Sequence, residues 1–109
     1  MDKIRIRSGI ELVEIQGVHL LVADRQAREK CRYIQRINEV GASIWKFLES
    51  GATINEIEES MRSEYEIEED YDLRSDIYGF VNSLKDNQYI VIQSNNSESN
   101  IWNAEIMIV

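Results

Sequence analysis

The stretch Asn38-Glu39-Val40-Gly41-Ala42-Ser43-Ile44-Trp45-Lys46-Phe47-Leu48-Glu49-Ser50-Gly51-Ala52-Thr53-Ile54-Asn55-Glu56 spells out two helices and the turn between them. Asn38 suits a helix N-cap, because its side-chain oxygen can accept from an amide that the first turn leaves unpaired. Val40, Ile44, Phe47 and Leu48 then recur at i, i+4, i+7 and i+8, the spacing of one helical face. Gly51 closes that helix in the left-handed conformation that glycine adopts without steric cost. Thr53 and Glu56 form a capping box, the threonine accepting from the third helical amide while the glutamate reaches back. Ile54, Ile57 and Met61 make the apolar stripe of the second helix.

Working outward, an acidic segment from Glu64 to Asp72 is broken only by Tyr65, Ile67 and Tyr71. A third helix is expected from about Asp72 to Asn87, burying Leu73, Ile77, Phe80, Val81 and Leu84. Asn87 can take the left-handed cap, and Tyr89-Ile90-Val91-Ile92 reads as a closing strand. Upstream, Ile10 to Ile15 and Val18 to Ala23 read as two strands around Gln16-Gly17, where Gly17 supplies the positive φ of a tight hairpin. Cys31 to Ile37 alternates well enough for a third strand. The expected class is α+β and winged helix-turn-helix-like: a three-stranded antiparallel sheet, three helices and a short C-terminal strand. Residues 1–93 form the expected domain. Residues 94–100 have a linker composition, and the apolar tail 101–109, with Trp102, is expected to pack as a strand; left free it would be an aggregation hazard.

A chain of 109 residues, 43% apolar and 29% charged, can bury one modest core. It has no run of about 18 apolar residues. Its amino terminus, Met1-Asp2-Lys3-Ile4-Arg5-Ile6-Arg7, lacks the continuous apolar stretch of a signal peptide. A single cysteine excludes an internal disulfide and a Cys-rich zinc site. These features predict a cytoplasmic protein with no membrane association. Residues 1–46 carry nine Lys/Arg against six Asp/Glu, whereas residues 47–109 carry three against fourteen, within a net charge of −8. Surface charge of this kind also serves plain solubility.

The ordered set Ile37-Asn38, Gly41, Ile44-Trp45, Gly51-Ala52-Thr53-Ile54-Asn55-Glu56-Ile57, Tyr65, Asp76-Ile77, Phe80-Val81, Leu84 and Tyr89-Ile90 resembles the family of the pyrroloquinoline quinone synthesis protein D (PqqD), over about residues 10–92. Its members are also called RiPP precursor-peptide recognition elements. The family often has glycine where this chain has Asn87-Gln88, and the tail after residue 93 has no counterpart in it. The resemblance implies a non-catalytic domain, without cofactor or metal, that binds the leader segment of a ribosomally made precursor peptide. It presents that leader to a modifying enzyme such as a radical S-adenosylmethionine maturase or a lasso-peptide protease. It also implies a groove between the third strand and the third helix. Carried over by position, the peptide-binding residues are Cys31, Arg32, Tyr33, Ile34, Gln35, Arg36 and Ile37 on the strand, with Arg74, Ile77, Tyr78, Val81 and Lys85 on the helix. Ile77 and Val81 read equally well as plain core.

Peptide binding also has a physical basis in the residues. A third strand at a sheet edge presents unpaired amides and carbonyls, to which an extended peptide can add as a further strand. Arg25, Arg28, Lys30, Arg32 and Arg36 around that edge outnumber Asp24 and Glu29, which suits an acidic leader; charges at an edge also deter aggregation. The alternative function is a winged-helix DNA-binding regulator. Its recognition helix would carry Asp72, Asp76 and Asp86 against Arg74 and Lys85, the wrong sign for phosphates, so nucleic acid is not an expected partner. His19 has no nucleophile at a recognisable spacing. Asp70-Tyr71-Asp72 lacks the glycine and the bidentate glutamate of a calcium loop. The chain is expected to be a monomer or homodimer, with strand exchange through the tail or edge conceivable.

Overall fold

The computed structural model describes residues 3–93 and 105–108. The chain runs β1 (Lys3–Ile6), β2 (Ile10–Ile15), β3 (Val18–Ala23), a short 3-10 turn (Ala27–Glu29), β4 (Ile34–Ile37), α1 (Glu39–Glu49), α2 (Ile54–Glu64), α3 (Leu73–Asp86), β5 (Ile90–Gln93) and β6 (Glu105–Ile108). This is the α+β order expected, with a three-stranded antiparallel sheet ahead of three helices and a C-terminal strand.

The helix starts are set by the side chains that the sequence singled out. Asn38 Oδ1 accepts from the Gly41 amide at 2.7 Å. Thr53 Oγ1 accepts from the Glu56 amide at 3.1 Å, and the Thr53 amide donates back to Glu56 Oε1 at 2.9 Å. The Thr53 amide first, and its side chain second, hydrogen-bond the Glu56 carboxylate and hold it below the usual glutamate range. Asp72 Oδ1 receives the Ser75 amide at 3.1 Å. Apolar stripes from all three helices meet over Trp45, Leu48, Ile57, Met61, Ile77 and Leu84, each 0% exposed.

Two three-stranded sheets flank this core, in the orders β2-β3-β4 and β5-β1-β6. The second contains a strand that local pattern does not announce. β1 pairs antiparallel with β5, Ile4 opposite Ile92, and parallel with β6, Ile4 opposite Ile106. Ile4 and Ile6 are buried. The apolar tail therefore supplies a strand, while the 94–100 linker and Trp102 lie outside the described residues.

Three details differ from expectation. The strand read as Cys31 to Ile37 begins only at Ile34. The Cys31 amide and thiol both donate to the Ala27 carbonyl at 3.1 Å, and the Arg32 amide donates to the Asn87 carbonyl at 3.2 Å, so these residues are committed to a turn and to the end of α3. In the β2–β3 turn, Gln16 (φ 51°) shares the left-handed region with Gly17 (φ 79°). After α3 the positive φ falls on Gln88, at 63°, and not on Asn87.

Candidate functional site

β4 lies at the edge of its sheet, next to β3 alone. The register sets His19 opposite Ile37, Leu21 opposite Gln35 and Val22 opposite Ile34, and the Ala23 amide donates to the Tyr33 carbonyl at 2.8 Å. In an antiparallel ladder, directly opposed residues alternate between hydrogen-bonded and non-bonded pairs. Tyr33, Gln35 and Ile37 therefore turn their peptide groups toward β3, and Ile34 and Arg36 turn theirs away from the sheet. The outward Ile34 carbonyl accepts from Arg32 Nε at 3.0 Å.

The wall facing this edge is α3. Gln35 Nε2 donates to Ser83 Oγ at 3.2 Å, and Asn87 Nδ2 donates to Gln35 Oε1 at 2.9 Å. Phe80, half-buried, packs against α1 at Gly41, where an added Cβ would stand 2.8 Å from Phe80 Cε1. Asp76, Phe80, Ser83 and Asn87 fall at i, i+4, i+7 and i+11, one stripe of the helix, and that stripe is what α3 turns toward β4 and the start of α1.

The strand residues named from the sequence thus gather at one edge. Tyr33 and Ile34 are 51% and 43% exposed, Arg32 and Arg36 are exposed, and Gln35 is half-buried. Arg28 stacks over the Tyr33 ring at 4.7 Å from its centroid, a cation–π contact that holds the ring against the strand. Ile37 is buried, and Cys31 is half-buried beneath the turn, where desolvation pushes its thiol pKa up.

The helix residues named from the sequence do not gather there. Ile77 and Val81 are 0% exposed and belong to the core. Arg74 Nε donates to Glu58 Oε1 at 2.8 Å, which places it against α2. At about 100° per residue, Arg74, Tyr78 and Lys85 lie roughly 140–180° around the helix from Ser83. The residues that sequence reading missed are Phe80, Ser83 and Asn87. Their spacing was visible as a stripe, but the identity of its partner was not.

Beyond the end of β4, Val40, Tyr65, Ile67, Tyr71, Leu73 and Asp76 line an apolar cup of about 410 Å³. A larger cleft of about 720 Å³ is lined by Glu14, His19, Glu39, Lys46 and Tyr65 among others. No group of three His, Cys, Asp or Glu side chains is placed to hold a metal ion among the described residues. No helix among them is long and apolar enough to cross a membrane.

Comparison with known families matches residues 27–90 to the model for coenzyme PQQ synthesis protein D (PqqD). The chain belongs to the PqqD family. The matched region runs from the 3-10 turn through β4 and all three helices into β5, so it contains the β4 edge and α3 whole. No curated protein matches the sequence. Among solved structures, TbiB1 in complex with the TbiA(beta) leader peptide aligns with a TM-score of 0.63 at 18% identity, over 88% of this chain and 99% of that one. At that identity the likeness is one of fold.

Proposed function

We propose that this PqqD-family protein is a peptide-binding adaptor that holds the leader segment of a ribosomally synthesised precursor and presents it to a modifying enzyme. The observation that carries this reading is the β4 edge, where Ile34 and Arg36 direct their peptide groups away from the sheet beside the α3 face that carries Ser83 and Asn87. An extended leader adds there as a fourth strand. Its backbone bonds supply affinity, and alternate side chains enter the groove. The fold neighbour TbiB1 was solved with a leader peptide, which supports the same use of this architecture. A micromolar complex needs about 8 kcal/mol, within reach of a few strand bonds and one or two filled apolar sites.

Arg28, Arg32 and Arg36 give this edge a positive rim, which favours acidic residues in the leader and speeds its capture. The adaptor's part is non-catalytic, and the chemistry belongs to its partner, a radical S-adenosylmethionine maturase or a lasso-peptide protease. Amide-resolved NMR titration with a synthetic leader encoded beside this gene, and with duplex DNA in parallel, tests the reading. Shifts concentrated in residues 32–37 and 80–87 with peptide alone are expected. A silent peptide titration with DNA shifting α3 would make the protein a nucleic-acid binder instead.

A further inference from the structure

A cleft of about 540 Å³ opens beside the β5-β1-β6 sheet, and none of its lining residues belongs to β4 or α3. Along β1, Ile4 and Ile6 are buried, so Arg5 between them projects from the opposite face. Val91 of β5 stands directly across from Arg5 in the antiparallel register, which sets the two side chains next to each other on that face. Val91 is 44% exposed. Arg7, just past the end of β1, and Asp24, Glu29 and Lys30, around the 3-10 turn, also line the cleft.

Both walls are held by their own hydrogen bonds. Asp24 Oδ1 accepts from the Ala27 amide at 2.7 Å, and the Asp24 carbonyl accepts from the Arg28 amide at 3.0 Å. The Asp24 amide donates to the Gly9 carbonyl at 2.8 Å. Gly9, at φ 84°, leaves open the space where a Cβ would stand 2.5 Å from Asp24 Oδ2. On the other wall the Arg7 amide donates to the Tyr89 carbonyl at 3.0 Å and its Nε to the Gln88 carbonyl at 2.8 Å. A site fixed in this way loses little conformational freedom when a ligand enters.

The cations of this cleft are not matched by the protein. Arg5 Nε is withdrawn from solvent and has no acceptor among the described residues. Asp24 and Glu29 line the same cleft, yet the ion pairs among the described residues join Arg62 and Arg74 to Glu58 and include neither Arg5, Arg7 nor Lys30. A buried guanidinium donor without an acceptor calls for a partner. An oxyanion is the partner that fits, because it can receive two parallel N–H bonds from one arginine.

We infer that this cleft binds a carboxylate side chain of a polypeptide, flanked by apolar residues, with the Arg5 guanidinium turning its Nε edge into the cleft to receive it and Arg7 and Lys30 at its sides. Three cations against two carboxylates leave the lining one positive charge in excess, which a single carboxylate neutralises and a phosphate dianion overshoots. The net charge of −8 on the whole chain also works against polyanions such as nucleic acid. Val91 offers an apolar contact beside Arg5, and the volume of the cleft admits the neighbours of the acidic residue as well as its carboxylate. The site does not rest on leader binding at β4.

The arginine Nε–H resonances of the isotope-labelled full chain, followed by NMR at low salt, read the site directly. The probe is acetyl-Leu-Glu-Leu-amide, with acetyl-Leu-Gln-Leu-amide, acetate and inorganic phosphate in parallel. The Arg5 Nε–H signal should move downfield and saturate with the glutamate peptide, together with the backbone amides of residues 26–30, while those of residues 34–37 stay still. The glutamine peptide should bind roughly tenfold more weakly, for want of the charge-assisted hydrogen bonds. Acetate, which has no apolar neighbours, should also be weaker than the glutamate peptide. Lys30→Gln, at an exposed position, should weaken the glutamate peptide roughly threefold and keep a native amide spectrum. An Arg5 signal that ignores the glutamate peptide, or answers the glutamine peptide equally, would overturn the site. Phosphate binding more tightly than the glutamate peptide would overturn the carboxylate assignment. Shifts confined to residues 34–37 and 83–87 would put the peptide on the β4 edge, which overturns the cleft and leaves the adaptor reading standing.

Discussion

Gln35 of β4 and Ser83 of α3 are joined side chain to side chain, the glutamine Nε2 donating to the serine Oγ at 3.2 Å while its Oε1 receives Asn87 Nδ2 at 2.9 Å. These two bonds and the Arg32 amide to Asn87 carbonyl bond tie the edge strand to the helix that walls it. They fix how closely the edge strand sits against the helix. Gln35→Ala removes both side-chain bonds and is expected to cost about 1–2 kcal/mol, read as a lower urea midpoint at unchanged slope. Gln35→Glu keeps acceptors for Asn87 and for the serine hydroxyl, so less than half of that loss is expected.

The ladder separates two neighbouring positions on β4. The Ile34 amide points out of the sheet, so Ile34→Pro removes a donor available to a peptide and leaves the β3 pairing intact, as edge strands tolerate. The Gln35 amide points toward β3, so Gln35→Pro breaks a ladder bond and should unfold the sheet edge. Circular dichroism should therefore be native for Ile34→Pro and perturbed for Gln35→Pro, while leader affinity falls in both. A native Gln35→Pro spectrum would reverse the assignment of inward and outward peptide groups.

Gly41 of α1 lies against Phe80 of α3, with an added Cβ 2.8 Å from Phe80 Cε1 and 3.3 Å from the capping Asn38 Oδ1. Alanine in a helix interior gains about 1 kcal/mol over glycine, whereas overpacking costs typically 1–3 kcal/mol. Gly41→Ala is expected to be net destabilising by about 1 kcal/mol. In a Phe80→Leu background the same substitution should recover the helix gain and become stabilising. Additivity of the two changes in a double-mutant cycle would show that Phe80 does not limit the approach.

The helices were legible because their signals are local. Asn38, Thr53 with Glu56, and Asp72 cap helices within three residues of themselves, and each apolar stripe spans only a few turns. β1 was not legible, because Lys3-Ile4-Arg5-Ile6 is four residues long and finds β5 more than eighty residues later. The third strand was read three residues too long because Cys31 to Tyr33 alternate correctly, yet the amides of Cys31 and Arg32 bond to a turn and a helix end. On α3 the amphipathic pattern marks the core side with Leu73, Ile77, Val81 and Leu84. Which of the remaining sides meets β4 is decided by packing. Arg74, Tyr78 and Lys85 come from the resemblance by position alone, whereas the side chains α3 sets against Gln35 are Ser83 and Asn87.

Tyr89 gives the fold a pH dependence at the alkaline end. It is 0% exposed, its hydroxyl has no hydrogen-bond partner among the described residues, and burial, with a smaller contribution from Cys31, pushes its pKa up to about 12. An unfolded tyrosine ionises near 10, so the unfolded chain releases this proton first as pH rises. The stabilisation is fully present below pH 10 and is lost between about pH 10 and 12, on the order of 2 kcal/mol. Tyr89→Phe has no proton to lose and no unpaired buried hydroxyl, so it should be at least as stable as wild type at pH 7. Its advantage should then widen as pH climbs from 10 to 12 in urea unfolding. Parallel stability curves for the two proteins across that interval would show that the phenol finds a partner or solvent in the folded state.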